Sequence, residues 1–374
     1  MEKLNRRNIR EMENKYYLLN KNKIIAMFHV EPILQAIVIE KQFVTMPEWF
    51  DDLGTFISNR RAPKHRENMK ELLKLGGCDT LKGFLDISHA LSLVDTFWVK
   101  PVESSLEWED LSLYTHPFNE VIAHTAFEGG LHGRQFSTTS PEYGTDGSFA
   151  KCWIREEDTI KLLKRGSSGA RNAGLEPYSE FYASQLVKAF TENSVLYDLR
   201  THGGKLCSSC DIFTSEDYGF LPYAAIDRGN STILSVLAKM KGLGLEEEAR
   251  LMFVVDAVIM NEDRHKNNFG FIVNNETQAI EGMAPLFDHN ISLLPYAEEE
   301  DFAEIDKYLS EKGPRLGEDW TSVATYCLDS KTRRTLINLS DFSFERHKKY
   351  NLPEWRLTAL EKLIHRNIER ILGL

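Results

Sequence analysis

The chain has 374 residues, with 45 Lys and Arg against 56 Asp and Glu, a formal net charge of −11 and a pI near 5.6. That length exceeds one ordinary core and points to two or three compact units. The acidic balance argues against direct nucleic-acid binding, and no apolar run reaches the roughly 18 residues of a membrane span, so neither nucleic acid nor membrane is an expected partner. The N-terminal "MEKLNRRNIREMENKYY" is charged and lacks an apolar core, so it reads as neither a secretory signal nor an anchor, and a cytoplasmic location is expected. Cys78, Cys152, Cys207, Cys210 and Cys327 are an odd, scattered set that suits a reducing compartment. Only Cys207-Ser-Ser-Cys210 has a suggestive spacing, and a zinc site there would need two further ligands.

In chain order, "KIIAMFHV" and "QAIVIEKQFV" read as strands, and "MPEWFDDLGTFISNRR" reads as a helix starting at Pro47. Together they predict a small N-terminal α/β module over residues 1–110. Arg60, Arg61, Lys64, Arg66 and Lys70 gather on what reads as a solvated basic face, with a phosphate or partner surface as the alternative. A helix over "EVIAHTAFEGG" gives way to the polar "FSTTSPEYGTDGSFAKCW", a loop by composition. "FAKCWIREEDTIKLLKRGSSG" then predicts a hairpin turning at Arg155 to Asp158, and "EPYSEFYASQLVKAFT" a helix with Pro177 near its start. "KLCSSCDIF" reads as a strand. Two helices follow, "NSTILSVLAKMKGLG" and the strongly apolar "LEEEARLMFVVDAVIM", which runs straight into "MNEDRHKNNFGF". Beyond it lie the short strands "FGFIV" and "AIEGMAPLF", and the chain closes on the amphipathic "PEWRLTALEKLIHRNIERILGL". A β-rich half followed by a helical half carrying a polar loop is the layout of a bilobal kinase.

Phosphoryl transfer asks for a positioned acceptor hydroxyl, divalent metal on the phosphates and a lysine that holds them. Asp263 and Asn268, five residues apart, have the spacing of a kinase catalytic loop, with the Asp near the acceptor hydroxyl and the Asn on magnesium. Asp288, 25 residues after Asp263, is placed to bridge metal and phosphate. By itself the Asp-to-Asn spacing equally fits an Asx-rich turn capping the preceding helix. Lys164 ends the strand "TIKLLK", with Lys161 as its competitor on the opposite face, and Glu180, 16 residues on, is a pairing partner. Gly144 and Gly147 permit tight turns in a loop whose amides and hydroxyls, Ser148 included, suit anionic oxygens. Arg264 is read as the salt-bridge partner of a neighbouring carboxylate, and His265 as a bond to loop backbone that holds Asp263.

With these residues assembled, the chain resembles the HipA-like serine/threonine kinases, bacterial toxin-type enzymes. The resemblance rests on "SPEYGTDGSFAKCW", "IKLLKRGS", "EPYSEFYASQL", "MNEDRHKNNFGF" and "APLFDH", which fall in the family's order over about residues 137 to 290. It implies an α+β, protein-kinase-like bilobal fold: an N-lobe over residues 111–222, a helical C-lobe over 223–374, and the additional module over 1–110. It implies ATP and Mg2+ as cofactors, Asp263 as catalytic base, Asn268 and Asp288 as metal ligands, and Lys164, Glu180, Gly144, Gly147, Ser148 and His265 at the nucleotide. Cys210, Asp211, Ile212 and Phe213 would form the adenine hinge. Ser137, Thr138, Thr139, Ser140, Ser167 and Ser168 become candidate autophosphorylation positions, although by their own chemistry they are turn formers. The implied partners are a protein with a Ser or Thr acceptor and, by family analogy, an antitoxin or repressor. "D-R-H-x-x-N" also looks like the catalytic loop of phosphatidylinositol kinases, so a lipid or small-molecule kinase stays open, as does a silent kinase-like binding protein.

Overall fold

The structure is a computed structural model that describes residues 14–31, 33–130, 138–169 and 172–374. It is a mixed α+β protein with several antiparallel sheets. The chain forms two compact units: the first takes residues up to Leu163 with Thr214–Leu221 and Ile272–Glu281, the second Lys164–Phe213, Pro222–Phe271 and Gly282–Leu374.

The first unit is built on a four-stranded sheet of order β3-β2-β1-β4, formed by β1 (Lys15–Asn20), β2 (Lys23–Val30), β3 (Ile37–Gln42) and β4 (Phe97–Pro101). Alternation decides which faces are buried: Tyr16 and Leu18 of β1 point into the core, with Tyr16 opposite Phe28 and Leu18 opposite Val99. The Tyr16 and Phe28 rings stack at 5.5 Å between centroids. Helices α1 (Leu53–Asn59) and α2 (Met69–Leu75) close this core with Leu53, Ile57, Met69 and Leu72. The strands β2 and β3 lie where the sequence places them. Two others, "KYYLLN" and "FWVKP", escape sequence reading because each is only five or six residues long and shows no sustained alternation.

Two features of this unit differ from expectation. The first helix begins at Leu53 and not at Pro47, because the Asp52 carboxylate accepts the Thr55 N–H at 2.7 Å and so caps the chain there. The basic stretch is only partly a solvated face, because Lys64 and Lys70 are exposed while Arg60 and Arg66 are not. Arg60 is buried, forks onto both oxygens of Asp95 at 2.5 and 2.9 Å, and donates to the Ala90 and Phe97 carbonyls. Arg66 is buried as well and donates to the carbonyls of Thr145 and Glu142, bracing the loop that precedes β5 (Lys151–Glu156). A two-residue turn at 157–158 joins β5 to β6 (Thr159–Arg165), with Glu157 at a positive φ.

In the second unit, α3 (Glu176–Phe190) leads to the antiparallel pair β7 (Asp198–His202) and β8 (Lys205–Asp211), in which Arg200 faces Cys207. The helical part includes α4 (Ile233–Gly242), α5 (Glu246–Val258), α6 (Trp320–Cys327), α7 (Ser330–Asn338) and α8 (Glu354–Leu372), with α6 packed on α5 and α8, and two short helices over Glu299–Ala303 and Ile305–Ser310. Helix α8 buries Leu357, Leu360, Ile364, Ile368 and Ile371, the three-and-four spacing of one helical face. Among the described residues, no helix is long and apolar enough to cross a membrane. All five cysteines are buried free thiols.

Removing Arg60 leaves a largely covered Asp95 carboxylate and two carbonyls without their cation, a class of change that costs about 3–5 kcal/mol. Arg60→Ala is therefore expected to lower stability by about that amount in urea denaturation, and a loss under about 1 kcal/mol contradicts the assignment.

Candidate active site

The polar loop begins where α5 stops. Met260 takes a left-handed conformation (φ 54°), and the Asn261 N–H returns to the Asp256 carbonyl at 2.9 Å, the bond that closes a Schellman-type helix end. The chain therefore leaves the helix sharply, and the next residues fold back over its last turn. There the buried Asp256 carboxylate receives the Asn261 amide at 3.0 Å and both arms of Arg264, Nε at 2.8 Å and Nη2 at 2.9 Å. The second face of the Arg264 fork donates to two carbonyls, Asn268 at 2.6 Å and Phe287 at 2.8 Å. Arg264 thus ties the loop to the segment entering Asp288. Burial works against the guanidinium charge, but Asp256 more than offsets it and the net shift is upward.

Asp263 is held by its own loop. Its N–H donates to the Asn261 side chain at 3.0 Å, and its carbonyl accepts the Asn268 amide nitrogen at 3.0 Å. The His265 ring accepts the Asn267 N–H at 3.2 Å, while its Nε2 lies 3.9 Å from the Asp263 carboxylate. Asp263 keeps about a third of its side chain exposed, at 34%, so that a reactant can reach it.

A second cluster gathers Lys164, Glu180 and Asp288. The Lys164 ammonium donates to Glu180 Oε1 and, at 2.5 Å, to Asp288 Oδ1, and Ser208 Oγ donates to the other Glu180 oxygen. Tyr197 lies under the ammonium with its ring centre 5.8 Å away, and its hydroxyl accepts the Asp288 N–H at 3.1 Å. Burial opposes the charge on Lys164, yet Asp288 and Glu180 together hold its pKa above the ordinary lysine value. Glu180 is pushed the other way, toward its neutral form, by burial that the lysine only partly counters. Asp288 itself adopts a left-handed backbone (φ 60°), uncommon outside glycine and the Asx residues and frequent where a side chain is aimed for function. Next to it, burial and the Arg264 charge drive the His289 imidazole down to about 3, so this ring is neutral.

The residues expected to form a hinge straddle the end of β8, which runs to Asp211: Cys210 is buried, Asp211 is exposed, and beyond the strand the Phe213 ring meets that of Phe287 at 5.4 Å. In the second unit, therefore, the structure brings Lys164, Glu180 and Asp288 together directly, and through Arg264 ties the Asn268 carbonyl to that of Phe287, the residue before Asp288. Gly144, Gly147 and Ser148 belong to the first unit, where Gly147 (φ +98°) sits so close to Lys151 that a Cβ would fall 2.2 Å from its ammonium. Of the hydroxyls, Thr138, Ser148 and Ser168 are exposed, and Thr139 and Ser167 are partly so. Ser140 is buried and donates to Glu142. Ser137 lies outside the described residues.

Sequence reasoning misses Asp256, Asn261, Tyr197 and Ser208. Asp256 carries a usable signal: it is the lone acid in "MFVVDAVIM", and an acid in an all-apolar helix needs a buried cation.

The fold is similar to that of HipA from Shewanella oneidensis MR-1, solved with HipB and operator DNA as a toxin–antitoxin system, at TM-score 0.55 and 11% identity over 96% of this chain and 98% of that one. The proinflammatory kinase CtkA of Helicobacter pylori aligns over 60% of this chain and 91% of its own, at TM-score 0.45 and 16% identity. No family model and no curated protein matches the sequence.

Glu180, with a folded pKa above its ordinary 4.5, contributes stability that is fully present below about 4.5 and lost as pH rises through the folded value. Lys164→Met leaves Glu180 facing Asp288 with no cation between them, and the expected loss at pH 7 is about 3–5 kcal/mol. Protonation of Glu180 relieves that charge, so in denaturation at a series of pH values the deficit should shrink from about pH 7 toward 4.5. A deficit that stays constant over this range contradicts the triad.

Proposed function

We propose that the chain is an ATP- and magnesium-dependent serine/threonine protein kinase of HipA-like type, transferring the γ-phosphoryl group to a Ser or Thr hydroxyl. The observation that carries this reading is the joined constellation: Lys164 against Glu180 and Asp288, fastened through Arg264 to the loop bearing Asp263 and Asn268. Phosphoryl transfer needs positioning and charge far more than covalent work, and these side chains are the polar types it uses.

The donor set suits magnesium, which takes one or two protein oxygens alongside phosphate. Asp288 offers a carboxylate, and the Asn268 amide nitrogen is engaged by the Asp263 carbonyl, which leaves the amide oxygen as its ligand atom. Bound magnesium would neutralise charge on the β- and γ-phosphates. Lys164 holds phosphate oxygens once a nucleotide competes for its ammonium, and Glu180 keeps that ammonium aimed. Asp263 orients the acceptor hydroxyl and takes its proton. Cys210 to Phe213 contact the adenine, His265 contacts the nucleotide, and Gly144, Gly147 and Ser148 cover the phosphates. Thr138, Thr139, Ser140, Ser167 and Ser168, with Ser137, remain the proposed positions of autophosphorylation; roughly two negative charges added there would oppose the ATP phosphates and inhibit.

In this reading the protein is bilobal, with residues 1–110 an accessory module, 111–222 the N-lobe and 223–374 the C-lobe. The HipA structure holds HipB and operator DNA, so a DNA-binding antitoxin is the partner class to seek for this chain.

The test is transfer of labelled γ-phosphate from ATP by the purified protein, with protein and inositol-lipid acceptors offered in parallel. Asp263→Ala is expected to lower transfer by about 10²–10⁴-fold. Transfer to lipid alone would select a lipid kinase, and no transfer to either acceptor in magnesium would reject the kinase reading.

A further inference from the structure

The segment 312–320 runs along the start of the polar loop, and three consecutive loop residues each meet one of its side chains. Trp320 Nε1 donates to the Asn261 carbonyl at 3.4 Å, Lys312 pairs with Glu262 at 3.1 Å, and Arg315 lies 3.5 Å from Asp263 Oδ1. The segment is held in this course from its other side as well. Gly317 turns at φ +99° so close to α6 that a Cβ would fall 2.4 Å from Val323, and Asp319 caps that helix by accepting the Ser322 N–H at 2.9 Å.

The three contacts differ in kind. Lys312 and Glu262 are mostly covered, whereas the Arg315 side chain is 61% exposed and its approach to Asp263 is long. An ion pair that open contributes at most about 1 kcal/mol, so an incoming group displaces it cheaply. The group that does so, on the reading of Asp263 as the base, is the acceptor hydroxyl. Arg315 can then turn its fork to another carboxylate, since Glu262 is already engaged by Lys312.

We propose that Arg315 is a specificity-determining residue that binds an acidic side chain of the protein acceptor, next to the Ser or Thr that receives the phosphoryl group. The inference rests on the kinase reading. A planar guanidinium fork suits a carboxylate, and its place beside the base restricts that carboxylate to positions flanking the acceptor residue.

The test uses serine peptide libraries that differ only in carrying Asp and Glu, or Lys and Arg, at the positions flanking the serine. Wild type is expected to show kcat/KM about three- to tenfold higher for the acidic library. Arg315→Glu should reverse that ratio, and Arg315→Lys should keep its direction. Because the ratio is taken within each protein, a change in the folded fraction cancels. Transfer by wild type without acidic preference, or an unchanged ratio in Arg315→Glu, overturns the inference alone. No transfer to either library overturns the kinase reading and the inference with it.

Discussion

The buried pair of Asp256 and Arg264 is the constraint on which the rest of the site depends. Two opposite charges in a dry interior are stable only when geometry is good and every remaining hydrogen-bonding group is satisfied. Here both arms of the fork meet the carboxylate, and the other face of the guanidinium meets the carbonyls of Asn268 and Phe287. One side chain therefore fixes the distance between the end of the polar loop and the entry to Asp288. Asn261 extends the same network to the Asp263 N–H, so the position of the proposed base also traces back to Asp256.

The cluster around Lys164 has a different character. Its ammonium holds two carboxylates that would otherwise repel, and burial leaves Glu180 inclined toward its neutral form. Such an arrangement has an inbuilt competition, because any anion that draws the lysine away leaves Glu180 and Asp288 to be satisfied by something else. Asp288 would then be the residue to hold a divalent cation arriving with that anion, whose charge would replace that of the lysine. The left-handed backbone at Asp288 and the Tyr197 hydroxyl on its N–H keep its carboxylate aimed while the partners change.

Much of this arrangement is legible in the sequence, and the reasons for the rest are physical. Local spacing suffices where two residues share one short segment, as Asp263 and Asn268 do, and the predominantly apolar stretches of β2 and α5 suffice to mark those elements. Arg264 reads correctly as the partner of a carboxylate, but the identity of that carboxylate depends on how sharply the helix ends, which the left-handed Met260 decides. Tyr197 and Ser208 are ordinary strand and loop residues until the fold puts them beside Lys164 and Glu180. The basic stretch misleads because charge alone does not tell a solvated arginine from one such as Arg60 that is buried against Asp95. The helix expected at Pro47 misleads because proline marks a favourable first turn without requiring one, and the Asp52 cap settles the start.

The proposed function divides the labour, with Asp288 and Asn268 holding metal and nucleotide and Asp263 serving the acceptor. Electron paramagnetic resonance of Mn2+ and ATP added to the protein reads the first role without any acceptor present. Wild type should give a protein-bound Mn2+–ATP signal that is lost in Asp288→Asn and retained in Asp263→Asn. A wild-type protein that gives no bound signal, or a signal that survives in Asp288→Asn, would contradict that division.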